Sequence, residues 1–260
     1  MMSVAITDQV AFVAFWLGFS RWLAILMQFP LFDNTAVPGI IKVLASFVIA
    51  WAFHPLVSPA IVSEVRAVGA QHLWLLTASH VTCGLVIGFL VKSLMSLFTS
   101  AGTILTQQIG FASVSYFDPT QAQQTGPFEK IIQWTLIVLI LTSGALVPMF
   151  KGVTESFYTV NTMNMGKMAE SHVLFTEIFR GIFTAAIMLA APLLFANILM
   201  NLVFGIVSRT VPQMNILMVS FVVNIGIGLI LFIAVSDEFY RVSFEYYIAR
   251  LGEWFQFFSR

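Results

Sequence analysis

Apolar residues run along this chain in long blocks, not in short alternating or amphipathic patches. A helix needs about 20 apolar residues to cross a bilayer. Six stretches reach or approach that length, near residues 9–32, 37–61, 67–98, 131–150, 178–208 and 210–236. The first is interrupted by Arg21, the second carries Lys42 and His54, and the third carries His72 and His80. The last two are parted by Arg209. Two connections are long. Residues 93–130, overlapping the end of the third stretch, are polar and punctuated by Asp118-Pro119 and Gly126-Pro127. Residues 151–180 carry Asn161, Asn164 and Gly166 as turn markers. From 237 to 260 the pattern changes. Tyr240, Phe244, Tyr247, Ile248, Leu251, Phe255 and Phe258 recur at three- and four-residue steps, which predicts an amphipathic helix. Such a helix lies in the membrane interface, docks on a partner or packs on its own bundle. The pattern as a whole predicts an all-α integral membrane or membrane-assembly protein of about six hydrophobic helices plus a C-terminal amphipathic helix. No boundary splits residues 1–260 into separate domains.

Composition excludes the alternatives. Hydrophobic residues make up 59% and charged residues 9% of the chain, against roughly 45–50% and about 25% in a soluble domain. Twelve basic and twelve acidic residues leave no net charge. A soluble globular or disordered protein does not fit. Nucleic acid is excluded as a partner, because no basic patch exists to displace its counterions. The lone Cys83 provides neither a disulfide framework nor a thiolate cage. The start of the chain lacks a basic n-region and its first apolar run is too long for an h-region, so that run is expected to belong to the mature protein. Lys and Arg are spread too thinly for the positive-inside rule to orient the chain.

The candidate chemistry is sparse. There is no H-E-x-x-H and no G-x-S-x-G. His72 and His80 stand about 80° apart around a helix, and interhelical hydrogen bonding is the favoured reading of both. No catalytic residue, metal ligand or cofactor is expected. Arg21 lies mid-block, where a charge costs ~2.5–3.5 kcal/mol on insertion scales. It must meet a partner, a carbonyl cluster or water. A solute carrier normally needs paired intramembrane acids, whereas every Asp and Glu here falls at a segment end or in a connection. Gly84-x-x-x-Gly88 permits close helix packing, within the chain or between chains. Asn197, Asn201, Gly205 and Arg209 form a four-spaced stripe that should meet another helix or a wet lumen. Gln213 and Asn215 extend that polar set. Pro192 and Pro212 suggest bent or broken helices. Finally, residues 110–126 are too polar for lipid yet carry Phe111, Tyr116 and Phe117 before the turn at Asp118-Pro119.

The run Gly205-Ile206-Val207-Ser208-Arg209-Thr210-Val211-Pro212-Gln213-Met214-Asn215 resembles the G-hydrophobic-x-x-R-x-x-P-Q-M-N signature of the flagellar export protein FliR family. That family includes the T component of virulence type III secretion systems. Arg21 with Pro30 and Val37-Pro38, Gln108-Ile109-Gly110-Phe111 running to Asp118-Pro119, and Ala190-Ala191-Pro192 resemble further family features in the same order. Phe221-Val222-Val223 departs from it where a proline often follows the aromatic residue. The resemblance implies a single export-gate domain whose apolar helices form hairpins. It implies a non-enzymatic core subunit that forms, with FliP and FliQ, a pore for unfolded flagellar substrates. An FlhB-type export-switch protein and membrane lipid are the further partners implied, at the bacterial inner membrane in the flagellar basal body. It also implies a channel plug built from Gly110, Phe111, Tyr116, Phe117, Asp118 and Pro119. A virulence-system homologue and, more remotely, a solute transporter or channel are the alternatives.

Overall fold

The computed structural model describes residues 2–29, 37–109, 127–164, 172–210 and 216–259. Among them are seven α-helices and no strand. These are α1 (Met2–Met27), α2 (Gly39–Val68), α3 (Leu73–Ile109), α4 (Pro127–Thr142), α5 (Leu146–Thr159), α6 (His172–Thr210) and α7 (Ile216–Ser259). Five helical segments are long and apolar enough to cross a membrane, and a sixth is added if α4 and α5 count as one broken span.

Several boundaries differ from the hydropathy reading, each for a physical reason. The helix α2 runs on to Val68, so residues 62–66, expected as a connection, are helical. It ends where Gly69 takes φ +93°, a backbone region that glycine enters without Cβ strain. The helix α3 continues to Ile109 through residues expected as the start of a polar connection. Their hydroxyls fold back on the helix: Ser93 Oγ donates to Phe89 O at 2.7 Å, Thr103 Oγ1 to Thr99 O at 2.9 Å, and Thr106 Oγ1 to Gly102 O at 2.8 Å. A hydroxyl satisfied this way is no obstacle to an apolar helix. The stretch 131–150, expected as one helix, breaks at residues 143–145 with Gly144 at φ +76°. Pro148 explains the position of the break. Inside a continuous helix its ring would clash with the carbonyl of Gly144, but in the first turn of α5 its missing N–H has no intrahelical duty. Pro192, by contrast, lies inside the continuous α6. The amphipathic tail is the end of α7, not a separate helix. Its buried positions, Phe239, Ser243, Tyr247 and Leu251, recur every fourth residue.

The chain divides into two compact units. The first comprises the described residues within 1–94, 143–176 and 248–260. Here α1 packs along α2 and α2 against α5. Trp22, Phe53 and Phe150 form a three-ring cluster, with Trp22 at 5.3 and 5.7 Å from the two phenylalanine rings, which stack on each other at 5.7 Å. Phe15 and Phe19 both meet Phe47 edge-on. The first part of α3 lies against α1 through Gly84 and Gly88. A Cβ at Gly84 would stand 2.6 Å from Arg21 O and 2.7 Å from Ala24 Cβ, and one at Gly88 would stand 3.1 Å from Ile25 O. Only glycine permits backbones this close.

The second unit comprises the described residues within 95–142 and 177–247. The rest of α3 supplies buried Phe98, Leu105 and Ile109, α4 supplies Ile132 and Leu136, and α6 supplies Ala186, Ala190 and Leu193. Gly228 of α7 brings its backbone against Ile109, where a Cβ would meet Cγ1 at 2.7 Å. Outward faces of this unit remain apolar. None of the most hydrophobic window of α7 is buried, and only 22% of that of α6, so both need lipid or another protein to cover them.

Gly84→Ala should destabilise the chain by about 1–3 kcal/mol, because the obstructing atom is backbone and cannot swing away. Gly205→Ala, with nothing within 4 Å of where its Cβ would stand, should leave stability unchanged or raised. Thermal melts of the two variants in detergent check the contrast.

Candidate functional site

A buried polar network occupies the first unit, and Arg21 is its cationic member. Arg21 is on α1, is 1% exposed, and faces the C-terminal end of α5. Its Nη1 donates to Ser156 O at 2.9 Å and its Nη2 to Val160 O at 3.0 Å. Its guanidinium also lies 4.2 Å from the centroid of the Phe157 ring. The last carbonyls of a helix have no intrahelical donors and carry the negative end of its dipole. A planar guanidinium can bond two of them at once and stack on the ring between them. The price of burying this charge is offset by Val160 O, which lies past the last intrahelical donor, and by a second bond to Ser156 O, which also accepts from Val160 N at 3.0 Å.

Glu64 is the anionic member. It lies inside α2 and is 7% exposed, which corrects the expectation that every acid falls at a segment end or in a connection. Oε2 of Glu64 stands 3.2 Å from His80 Nε2 on α3. Oε1 accepts from Thr162 N at 2.7 Å and from Thr162 Oγ1 at 2.5 Å. Ser79 Oγ stands 2.6 Å from Thr162 Oγ1. The His80 ring lies 6.0 Å from Phe157, on whose ring Arg21 also stacks. Four elements thus converge: α1, α2, α3 and the turn that follows α5.

The sequence reading found Arg21 and His80 but missed Glu64, Ser156 and Thr162. A signal existed for Glu64. Val57, Ile61, Glu64 and Val65 keep the spacing of one helical face, so the buried stripe of α2 passes through the acid. Nothing in the sequence marked Ser156 or Thr162. Nucleophile–base geometry is not evident in this network, and no group of three or more His, Cys, Asp or Glu residues suited to a metal occurs among the described residues.

The second unit holds the other polar set. Asn197 Nδ2 of α6 donates to Gln108 O, the penultimate carbonyl of α3, and Asn201 Nδ2 donates to Asn197 Oδ1 at 2.7 Å. Asn197 is half-buried, whereas Asn201 and Arg209 are exposed. Asn197 and Asn201 therefore share one hydrogen-bonded ladder, and Arg21 belongs to the other unit. Gly84 and Gly88 serve the approach of α3 to α1. Pro30, Gln213, Asn215 and the segment with Gly110, Phe111, Tyr116, Phe117, Asp118 and Pro119 lie outside the described residues, as do the side chains of Phe255 and Phe258.

Residues 12–248 match the model of the family described as bacterial export proteins, family 1. The chain belongs to that family. Its relatives include the flagellar biosynthetic protein FliR of Bacillus subtilis, 25% identical over 89% of this chain and 89% of that one. The FliR of Buchnera aphidicola subsp. Baizongia pistaciae is 25% identical over 81% of this chain and 80% of its own. The surface presentation of antigens protein SpaR of Shigella sonnei is 22% identical over 88% of each. The family match takes in both polar sets described above, Arg21 to Glu64 and His80 in one unit and Asn197 with Asn201 in the other. Membership makes this chain a membrane-embedded component of a bacterial export apparatus, and its bare apolar helices suit a subunit that is covered in an assembly.

Arg21→Leu should destabilise the protein by about 1–3 kcal/mol, because Val160 O is left buried without its donor, whereas Ser156 O keeps only the backbone N–H of Val160. Arg21→Lys should recover less than half of that loss, since an ammonium cannot reproduce the two-carbonyl fork. Thermal unfolding of both variants, followed alongside the yield of the assembled export complex, checks the ordering.

Proposed function

We propose that the protein is a core subunit of the flagellar type III export gate, and that with FliP and FliQ it forms the pore through which unfolded flagellar substrates leave the cytoplasm. The observation that carries this reading is the family match over residues 12–248, with FliR proteins among the relatives. The exposed apolar surfaces of α2, α6 and α7 support it. Trp51 on α2, Phe183 and Phe195 on α6, and Ile233 on α7 are all at least 65% exposed in the lone chain, as expected of faces that meet neighbouring subunits or lipid. The place of action is the inner membrane, in the flagellar basal body, beside an FlhB-type export-switch protein. The role is structural, not enzymatic.

Within this reading the two sets of polar residues have different duties. Arg21 holds the subunit together. Asn201 and Arg209, exposed on an apolar helix, face a partner helix or the aqueous lumen, and Gln213 and Asn215 are assigned the same duty from their place in the sequence. The segment 110–126, with Phe111, Tyr116 and Phe117, supplies the plug: three aromatic rings close a narrow lumen by packing and dewetting it. A second reading, a virulence secretion subunit, is favoured by the similarity to SpaR of Shigella sonnei.

A strain deleted for this protein should lose flagella and swimming, and normal flagellated swimming would assign it to another secretion system. Isolation in mild detergent should bring two small hydrophobic subunits with the chain. Replacing Phe111, Tyr116 and Phe117 by alanine should leave that complex assembled but make the membrane leak ions at rest. A membrane as tight as wild type, around an assembled variant complex, would remove the plug assignment.

A further inference from the structure

The geometry of the first unit gives Glu64 a duty that neither the family match nor the export role assigns. Its carboxylate can only accept hydrogen bonds, so the donors around it are fixed in direction. The imidazole proton of His80 belongs on Nε2, facing Glu64 Oε2. That leaves Nδ1 as a bare acceptor, and it is indeed the His80 ring nitrogen without a hydrogen-bond partner. Thr162 gives both its amide and its hydroxyl to Oε1. The Thr162 hydroxyl proton is thereby committed, so at the 2.6 Å contact only Ser79 can donate, and its one proton is shared with Leu76 O at 2.8 Å. Three donors converge on one carboxylate, and two of them come from the turn after α5.

That turn has little else of its own. Met163 N and Asn164 N both donate to Asn161 Oδ1, a local Asx arrangement that shapes the turn but ties it to nothing. Its anchors to the rest of the unit are Arg21 at Val160 O, Glu64 at Thr162 and Ser79 at the Thr162 hydroxyl. A cation holds the carbonyl end and an anion holds the amide two residues on. The two charges act through the peptide groups between them and not by direct contact.

We infer that Glu64 is a positioning residue, a latch that fixes the turn at residues 160–164 against α2 and α3 and is itself oriented by His80. The turn is the point at which the chain leaves α5 on its way to α6, so the latch sets where that connection departs from the unit. Removing the carboxylate frees the turn while α1 and α2 stay packed, because their rings and the Gly84 contact do not involve Glu64.

Hydrogen exchange of the full-length protein in its detergent-solubilised complex tests this, with peptide-level readout over 160–164 and over α1. In Glu64→Ala, the amides at 162–164 should exchange about tenfold faster or more, with α1 unchanged. Glu64→Gln should restore most of the protection, since an amide oxygen can accept both Thr162 donors while its NH₂ turns to a His80 of the opposite tautomer. Wild-type exchange at 162–164 in Glu64→Ala overturns the latch, as does equal acceleration throughout α1, or a Gln variant as unprotected as the Ala variant. If Glu64→Ala does not accumulate, Thr162→Val decides the matter. It removes the hydroxyl bonds alone, and should speed exchange at 162–164 several-fold, whereas wild-type protection there overturns the proposal.

Discussion

The structure depends on one constraint, which is that a helix ending inside an apolar environment must find donors for its last carbonyls. Water satisfies these groups at the surface of a soluble protein, but lipid and packed side chains offer nothing. Each unit answers with a side chain from another helix. Arg21 bonds Val160 O at the end of α5 and adds a second donor to Ser156 O, beside Val160 N. Asn197 bonds Gln108 O at the end of α3. Tyr158 adds a further tie, its hydroxyl bonding Leu56 O between the two prolines inside α2. The choice between Arg and Asn follows from what each end presents. The end of α5 offers two carbonyls and an aromatic face, which suits a fork with a flat cation, while the end of α3 offers one carbonyl to a short amide.

The same constraint explains why so many polar residues sit in these helices without disturbing them. Ser93, Thr103 and Thr106 return their hydroxyls to the preceding turn of α3, so the helix carries them as nearly apolar residues. Glu64 and His80 cannot be hidden that way. They are placed where each completes the other, and the carboxylate also gathers Thr162. Opposite charges on Arg21 and Glu64 within one core further lower the cost of burying either, since their attraction is little screened there. Gly84 allows this arrangement by bringing α3 close to the Arg21 backbone.

An export component is served by this construction. The first unit is tied internally by charge, rings and close helix contact, so it can act as a rigid body. The second leaves most of α6 and α7 bare. A subunit with one tightly knit part and long apolar faces elsewhere is suited to an assembly in which neighbours complete its surface. Its stability in isolation and its behaviour in the complex are therefore different quantities.

The sequence by itself determined the class of the protein and its family. Uninterrupted apolar length fixes a helical membrane protein whatever the tertiary arrangement, because only internally bonded backbones survive in lipid. The specific run from Gly205 to Asn215 pointed to the export family without any coordinates. The sequence also showed that Arg21 required partners, since a mid-block charge cannot face lipid tails. It could not name those partners. Ser156 and Val160 lie more than 130 residues from Arg21 and contribute backbone carbonyls that any residue possesses. Hydropathy likewise ended α2 and α3 too early, because it scores a hydroxyl or a carboxylate by type and not by whether its hydrogen bonds are already made. Tertiary structure decided that Glu64 is a core residue, that Gly84 and Gly88 close a contact within the chain, and that the tail continues α7. In each case the deciding fact is which groups meet in space, and local pattern carries no record of that.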